Sequence, residues 1–384
     1  MDNIIEFFTS TMLIERLIGV GVYALTLGYF YNKIQHAKSA RSISRYLNLY
    51  LILLCIMAFF YIPGTSADLY RWRNLALPWE NASFLWFWTY RVLPSRTPLG
   101  YLLIYACQMT KIEGLFPMVC ALVFFGNIFH ILKCEVRRGN ISSDSVAVVL
   151  LFIMSSGVFL EVISSMRCML SFVIVLRCVY DEMYKREGFI KHIPFYIIAT
   201  LLHNAALPLI GCRLVCMLFE GGKSAILTII NIFTVLITFI AAIRFGDDFI
   251  DAAFSKASSY VTHDIYSYNW EYIIAGLGIT IIIRVLWKYM KRYRDQWRRE
   301  IVRLRYLLLL VAGDLIFVGI YSIFHRYHTA VIIASIPALL TFLDREHRNG
   351  LIGSRKLIVQ TSLVILLLAC TRGNLCGYKF FLLN

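Results

Sequence analysis

The stretch YLNLYLILLCIMAFFYIP, residues 46–63, runs for eighteen residues without a charge. As a helix rising 1.5 Å per residue it is about 27 Å long, close to the roughly 30 Å of hydrocarbon in a bilayer. Comparable runs recur at residues 224–243 (SAILTIINIFTVLITFIAAI) and 357–370 (LIVQTSLVILLLAC). The 384-residue chain is 59% hydrophobic and only 16% charged. A soluble core cannot hide that much apolar surface, and helices satisfy their own backbone in lipid. The expected fold is all-α, a polytopic integral membrane protein forming a single transmembrane domain over residues 1–384, with about twelve transmembrane helices. The start, MDNIIEFFTS, is acidic and no cleavage site follows the first apolar run. That run is therefore expected to be a retained helix and not a signal peptide.

The net charge of +15 sits mainly in short connectors between apolar runs. The positive-inside rule explains it without nucleic acid as a partner. Three clusters, at residues 32–45 (NKIQHAKSARSISR), 288–305 (KYMKRYRDQWRREIVRLR) and 344–356 (DREHRNGLIGSRK), are too basic to be translocated readily. Placing them in the cytoplasm, with further cytoplasmic loops at about 133–144 and 181–192, leaves periplasmic segments at about 64–114 and 244–270. Within the first of these, PLGYLLIYACQMT (98–110) is short for a span and is expected to be a re-entrant or surface helix. The apolar run at 193–219 should turn near 203–208 and cross twice, since one crossing would put the cluster at 288–305 outside, and Pro208 favours a turn.

The ten cysteines lie mostly within apolar runs, without a CxxC pair or metal-ligand spacing to histidine, so they are expected to be small core hydrophobes. No metal site or cofactor is implied. Walker, GxGxxG, GxSxG and HExxH signatures are absent.

With that orientation, unusual polar residues collect at one face of the membrane. Arg167 stands at the mouth of an apolar run in SSMRCMLSFVIVL (164–176), with Glu161 as the nearby acid in sequence. His203 falls at a turn in ATLLHNAALPL (199–209), and Arg326 at another in FHRYHTA (324–330). Asp68, Tyr70, Arg71 and Arg73 follow the second span in TSADLYRWR (65–73). Arginines, a histidine and a carboxylate at a common depth suit an anionic substrate at the outer surface. Each has a plainer alternative: a span-end arginine snorkels to lipid phosphates, a turn histidine is structural, and Asp68 caps a helix. Trp79, Trp86 and Trp88 are expected to form an interfacial aromatic belt.

The order of these pieces resembles the EpsG-like group of Wzy-type oligosaccharide repeat-unit (O-antigen) polymerases. The likeness rests on ADLYRW (67–72), RTPLGYLLI (96–104), SSMRCMLSFVIVL, FYIIATLLHNAAL (195–207), SYVTHDIYSY (259–268) and HRYHTAVIIASIPALL (325–340). The family pattern has glutamine after the first arginine and serine after the histidine, where this chain has Cys168 and Asn204. The resemblance implies a GT-C-like glycosyltransferase of the bacterial inner membrane, metal-independent and without a cofactor, with its site facing the periplasm. Its substrate would be an undecaprenyl diphosphate-linked oligosaccharide, drawn from the membrane lipid phase, and a chain-length regulator is a conceivable protein partner. Arg167 and Arg326 would bind the leaving diphosphate, with His203 first and Asp68 second as candidate base. Tyr70, Arg71 and Arg73, with Tyr260 and Tyr266, would line the sugar path.

Three rivals stay open at this point. An O-antigen ligase would share the arginines and the histidine and differ in acceptor. A transporter or flippase of lipid-linked sugar would line a path at the bilayer midplane, for which Asp314 in LVAGDLIFVGI (310–320) is the one supporting residue. An acyltransferase would need a donor site on the cytoplasmic face.

Overall fold

The structure is a computed structural model and describes residues 11–63, 68–139, 141–218, 270–292, 297–316, 321–371 and 379–380. The expected periplasmic segment at 244–270, with Tyr260 and Tyr266, lies outside these residues except for Trp270, as does all of 219–243. The described chain is dominantly helical. Among the described residues, four helices are long and apolar enough, by length and composition, to cross a membrane: Ala40–Phe59, Leu115–Arg138, Ile273–Lys291 and Ile323–Arg348. Shorter apolar helices run over Ser143–Ser155, Phe189–Leu202 and Ala206–Leu218.

In chain order, α1 (Thr11–Gln35) and α2 (Ala40–Phe59) form an antiparallel pair whose turn is fixed by Ser39, the α2 N-cap, accepting from the Ser42 amide. A cap follows, made of α3 (Asp68–Ala76), a short 3-10 helix (Leu77–Asn81), α4 (Phe84–Phe87) and α5 (Pro98–Met109). The bundle resumes with α6 (Leu115–Gly139), α7 (Ser143–Ser155), the short α8 (Val158–Ser164), α9 (Met166–Lys185), α10 (Phe189–Leu202) and α11 (Ala206–Leu218). Beyond residue 269 come α12 (Trp270–Arg292), α13 (Trp297–Ile316), α14 (Tyr321–Arg348) and α15 (Gly353–Thr371). Among the described residues the one strand pairing is β1 (Tyr61–Ile62) with β2 (Lys379–Phe380), antiparallel.

The core lies on α6, α7, α9 and α14; every residue of α7 from Ser145 to Ser155 is buried, as befits a helix surrounded by others. Helices extend well into the segments expected as loops: α6 reaches Gly139, α12 reaches Arg292 and α14 reaches Arg348. Lysine and arginine are good helix formers and suit the last turns, where the dipole is negative. The expected turn at 203–208 is tighter, with α10 ending at Leu202 and α11 starting at Ala206. The sequence 98–110 forms the twelve-residue α5, about 18 Å long and too short to span.

The two ends of the bundle differ chemically. At one end Arg355 makes a two-pronged contact with Asp144 (2.9 Å each), the Ser142 amide donates to Asp344, Lys288 donates to Ser354 and Arg345 to the Tyr289 hydroxyl. The other end carries the cap and every described residue singled out as a substrate-binding candidate.

Candidate functional site

Asp68, Trp72, Ser165, Met166, Arg167, Cys168, His203 and Arg326 line one small cleft. Four separate parts of the chain meet there: α3, the α8–α9 junction, the α10–α11 turn and the first turns of α14. Asp68, Arg167, His203 and Arg326 were each expected from sequence on a common face, and the fold brings all four to one place.

Helix phase sorts the acidic–aromatic–basic run on α3. Asp68 in its first turn favours the helix dipole and pairs with Arg71 three residues on (2.6 Å). Trp72, four residues on, falls on the same face and reaches the cleft. Arg73 turns away, donating to the Glu113 carboxylate and to its backbone carbonyl, both at 3.1 Å. Burial lowers the Arg73 pKa below its usual value, and Glu113 partly restores it. Tyr70 is exposed and, with Arg71 and Arg73, does not line the cleft.

Arg167 is the second residue of α9, where the helix N-terminus already carries partial positive charge and no acid occupies the first turn. Its guanidinium lies over the Trp72 indole, 3.8 Å from the ring centroid, and 5.7 Å from the Tyr101 centroid. One amino group donates to Thr97 Oγ1 at 3.2 Å. Thr97 holds the N-cap position of α5, where such a hydroxyl ordinarily accepts from its own helix; here it accepts from Arg167 instead. Among the described residues Arg167 makes no ion pair; Glu161, its neighbour in sequence, pairs with His325 at 3.2 Å. The arrangement holds a guanidinium flat and oriented beside a helix N-terminus without neutralising it, which is the geometry of an anion site.

Gly100 makes the approach of α5 possible. A Cβ there would stand 2.8 Å from Arg167 Cδ and 2.8 Å from the Leu202 carbonyl oxygen. Thr97, Gly100 and Tyr101 all fall in RTPLGYLLI, and Trp72 in ADLYRW; both motifs were visible, but nothing in them said that these residues meet Arg167.

One turn of α14 organises the remainder. His325 contacts Glu161, Arg326 approaches Asp68 at 3.6 Å, the Tyr327 hydroxyl donates to the Ala205 carbonyl at 2.9 Å, and His328 lies 3.5 Å from Asp314. Asp314 is buried beside that histidine, half a turn from Arg326, and so stands near the cap end of the bundle and not at its middle. Asp68 thus has Arg71 at one oxygen and Arg326 at the other.

His203 accepts a hydrogen bond at Nδ1 from the Ala205 amide, 3.1 Å. A neutral imidazole accepting at Nδ1 carries its proton on Nε2. The bond closes the α10–α11 turn. Trp79 also departs from expectation: it is fully buried, packed on Phe87 and Tyr101, and anchors the cap, while Trp86 and Trp88 remain exposed.

The cleft itself is small, about 30 Å³, at the scale of a single water, and the Asp68–Arg326 contact bridges it. A larger cavity of about 150 Å³ adjoins it, with Trp72 in the wall of both. Comparison of the chain with family models, with curated proteins and with solved structures gave no match.

Proposed function

We propose that the chain is a glycosyltransferase that polymerises undecaprenyl diphosphate-linked oligosaccharide repeat units at the outer face of the bacterial inner membrane, moving the growing glycan onto the terminal sugar of a fresh lipid-linked unit. The observation that carries this reading is the convergence of Arg167 and Arg326 with Asp68 and His203 on one cleft, with Arg167 oriented and without an ion-pair partner among the described residues. The sequence resemblance supplies the reaction, and the cleft chemistry is compatible with it. A sugar hydroxyl attacks the anomeric carbon, the carbon–oxygen bond to the diphosphate breaks, and the leaving diphosphate gains charge. Guanidiniums set in advance around that charge lower the barrier.

The 3.6 Å Asp68–Arg326 contact gives the sequence of events a physical basis. An arriving diphosphate competes with Asp68 for Arg326, and the freed Asp68 oxygen becomes the acceptor for the hydroxyl proton. His203, which lines the same cleft, is the other candidate for that proton. Gel analysis of surface polysaccharide from a strain lacking the protein tests the reading. A ladder collapsed to one repeat unit on the lipid A core supports a polymerase. Complete loss of capped core points to a ligase, and accumulation of the lipid-linked unit on the cytoplasmic side points to a flippase.

A further inference from the structure

The cavity of about 150 Å³ beside the cleft is walled by Leu69, Trp72, Ile104 and Phe116 and rimmed by Arg73, Gln108, Lys111 and Glu113. A cavity of that size holds one six-membered ring. Its walls are apolar and aromatic, and its rim offers guanidinium, amide, ammonium and carboxylate groups. A pyranose has the matching character, with apolar ring faces and an edge of hydroxyls that both donate and accept.

Two features of the rim point to a ligand. Arg73 Nε is buried and has no hydrogen-bond partner, although the two terminal nitrogens of the same guanidinium are bonded to Glu113. A buried unsatisfied donor is costly, and a ligand oxygen would remove the cost. Lys111 sits at φ +58° in the turn between α5 and α6, a conformation that glycine adopts without penalty and lysine does not. Its ammonium has no hydrogen-bond or ion-pair partner among the described residues, yet its side chain lines the cavity. Directly after the α5 C-cap, the left-handed conformation is the common way for a helix to end, and here it sets an exposed ammonium at the rim of the cavity.

We propose that this cavity is a saccharide subsite, seating one pyranose ring of the lipid-linked glycan on the Trp72 and Phe116 walls, with its hydroxyls on Arg73, Gln108, Lys111 and Glu113. The proposal rests on the polymerase reading for the identity of the glycan. Because Trp72 also carries the Arg167 guanidinium, a ring seated here lies one side chain away from the diphosphate site, within reach of the reacting centre.

The test uses the full-length protein in lipid nanodiscs and two probes measured by calorimetry: undecaprenyl diphosphate, and one repeat unit of the cell's own polysaccharide released as free oligosaccharide. Lys111→Gly removes the cation while relieving the backbone, so a binding defect in it does not come from misfolding. Gln108→Ala serves as the second variant, on a helix that tolerates alanine. Each is expected to weaken oligosaccharide binding about tenfold, the loss of roughly one hydrogen bond, and to leave undecaprenyl diphosphate binding unchanged. Wild-type affinity for the oligosaccharide in both variants overturns the subsite. So does a Lys111→Gly effect that vanishes when anionic lipids are replaced by phosphatidylcholine, which makes the lysine a lipid anchor. Wild-type protein that binds undecaprenyl diphosphate but no oligosaccharide also removes the subsite while sparing the polymerase reading. The converse pattern, with oligosaccharide bound through Lys111 and no binding of undecaprenyl diphosphate, keeps the subsite and removes that reading.

Discussion

Arg167 is held by its plane more than by its charge. Stacking on Trp72 contributes about 0.5–2 kcal/mol and fixes the face of the guanidinium, while the bond to Thr97 fixes its rotation. An ammonium reproduces neither, so Arg167→Lys is expected to lose polymer nearly as completely as Arg167→Ala, read as a surface-polysaccharide ladder at equal protein levels. Arg292, at the end of α12 on the opposite side of the bundle, should tolerate lysine. A normal ladder from Arg167→Lys would reduce the residue to a snorkelling charge. His203 admits a sharper test. Asparagine can accept from the Ala205 amide but cannot take a hydroxyl proton, so His203→Asn should cost about 10²–10⁴ in turnover where His203 is the base and stay within about tenfold where it only closes the turn. A loss of that larger size in His203→Asn, with the protein inserted, would assign the base to His203, and near-normal activity would assign it to Asp68. The grouping of Asp68, Arg167, His203 and Arg326 was legible because polar residues at span ends stand out against apolar runs. Tyr70, Arg71 and Arg73 were not separable from Asp68 until the nine-residue α3 fixed the helix phase.

At the scale of elements, the site depends on how closely α5 packs against α9 and α10. Gly100→Ala puts a methyl 2.8 Å from both the Arg167 stem and the Leu202 carbonyl, and the latter is backbone that cannot swing aside. Overpacking of this kind costs about 1–3 kcal/mol, so the variant should unfold at lower temperature in detergent and lose polymer through a displaced Arg167. Gly211→Ala, on α11 with nothing within 4 Å of its added methyl, should leave thermal stability unchanged or raise it. If the two alanine variants melt alike, the close approach of α5 does not govern the site. The existence of α5 as a short helix and the break before α11 could be read from length and proline. Its docking on Arg167 could not, because Thr97 and Gly100 look like an ordinary cap and an ordinary glycine until the tertiary contact is seen.

For the whole molecule, the alternation of helices sends the basic connectors to one end and the cleft to the other. Along α14, Arg326 at the cleft and Asp344 in the polar network of the far end are separated by about 27 Å of helix, close to a bilayer's hydrocarbon thickness. The separation by charge was legible because the positive-inside pattern lies in the connectors themselves; the number of crossings was not, since several helices are shorter than a full span and residues 219–269 lie outside those described. The orientation gives a direct test in a cysteine-depleted variant. Asn74, exposed on α3, should label from the periplasm as Asn74→Cys, while Lys291→Cys and Asn349→Cys, both exposed at the basic end, should label only after the membrane is permeabilised. The argument is electrostatic, because translocating Lys and Arg next to a span is disfavoured, and it constrains function as well as topology. A polymerase acting on a lipid-linked unit that has already crossed the membrane needs its guanidiniums on the outside. Labelling of Lys291→Cys from the periplasm in intact cells would invert the bundle, place Arg167 and Arg326 at the cytoplasmic face, and leave the diphosphate site where the proposed polymerisation does not occur.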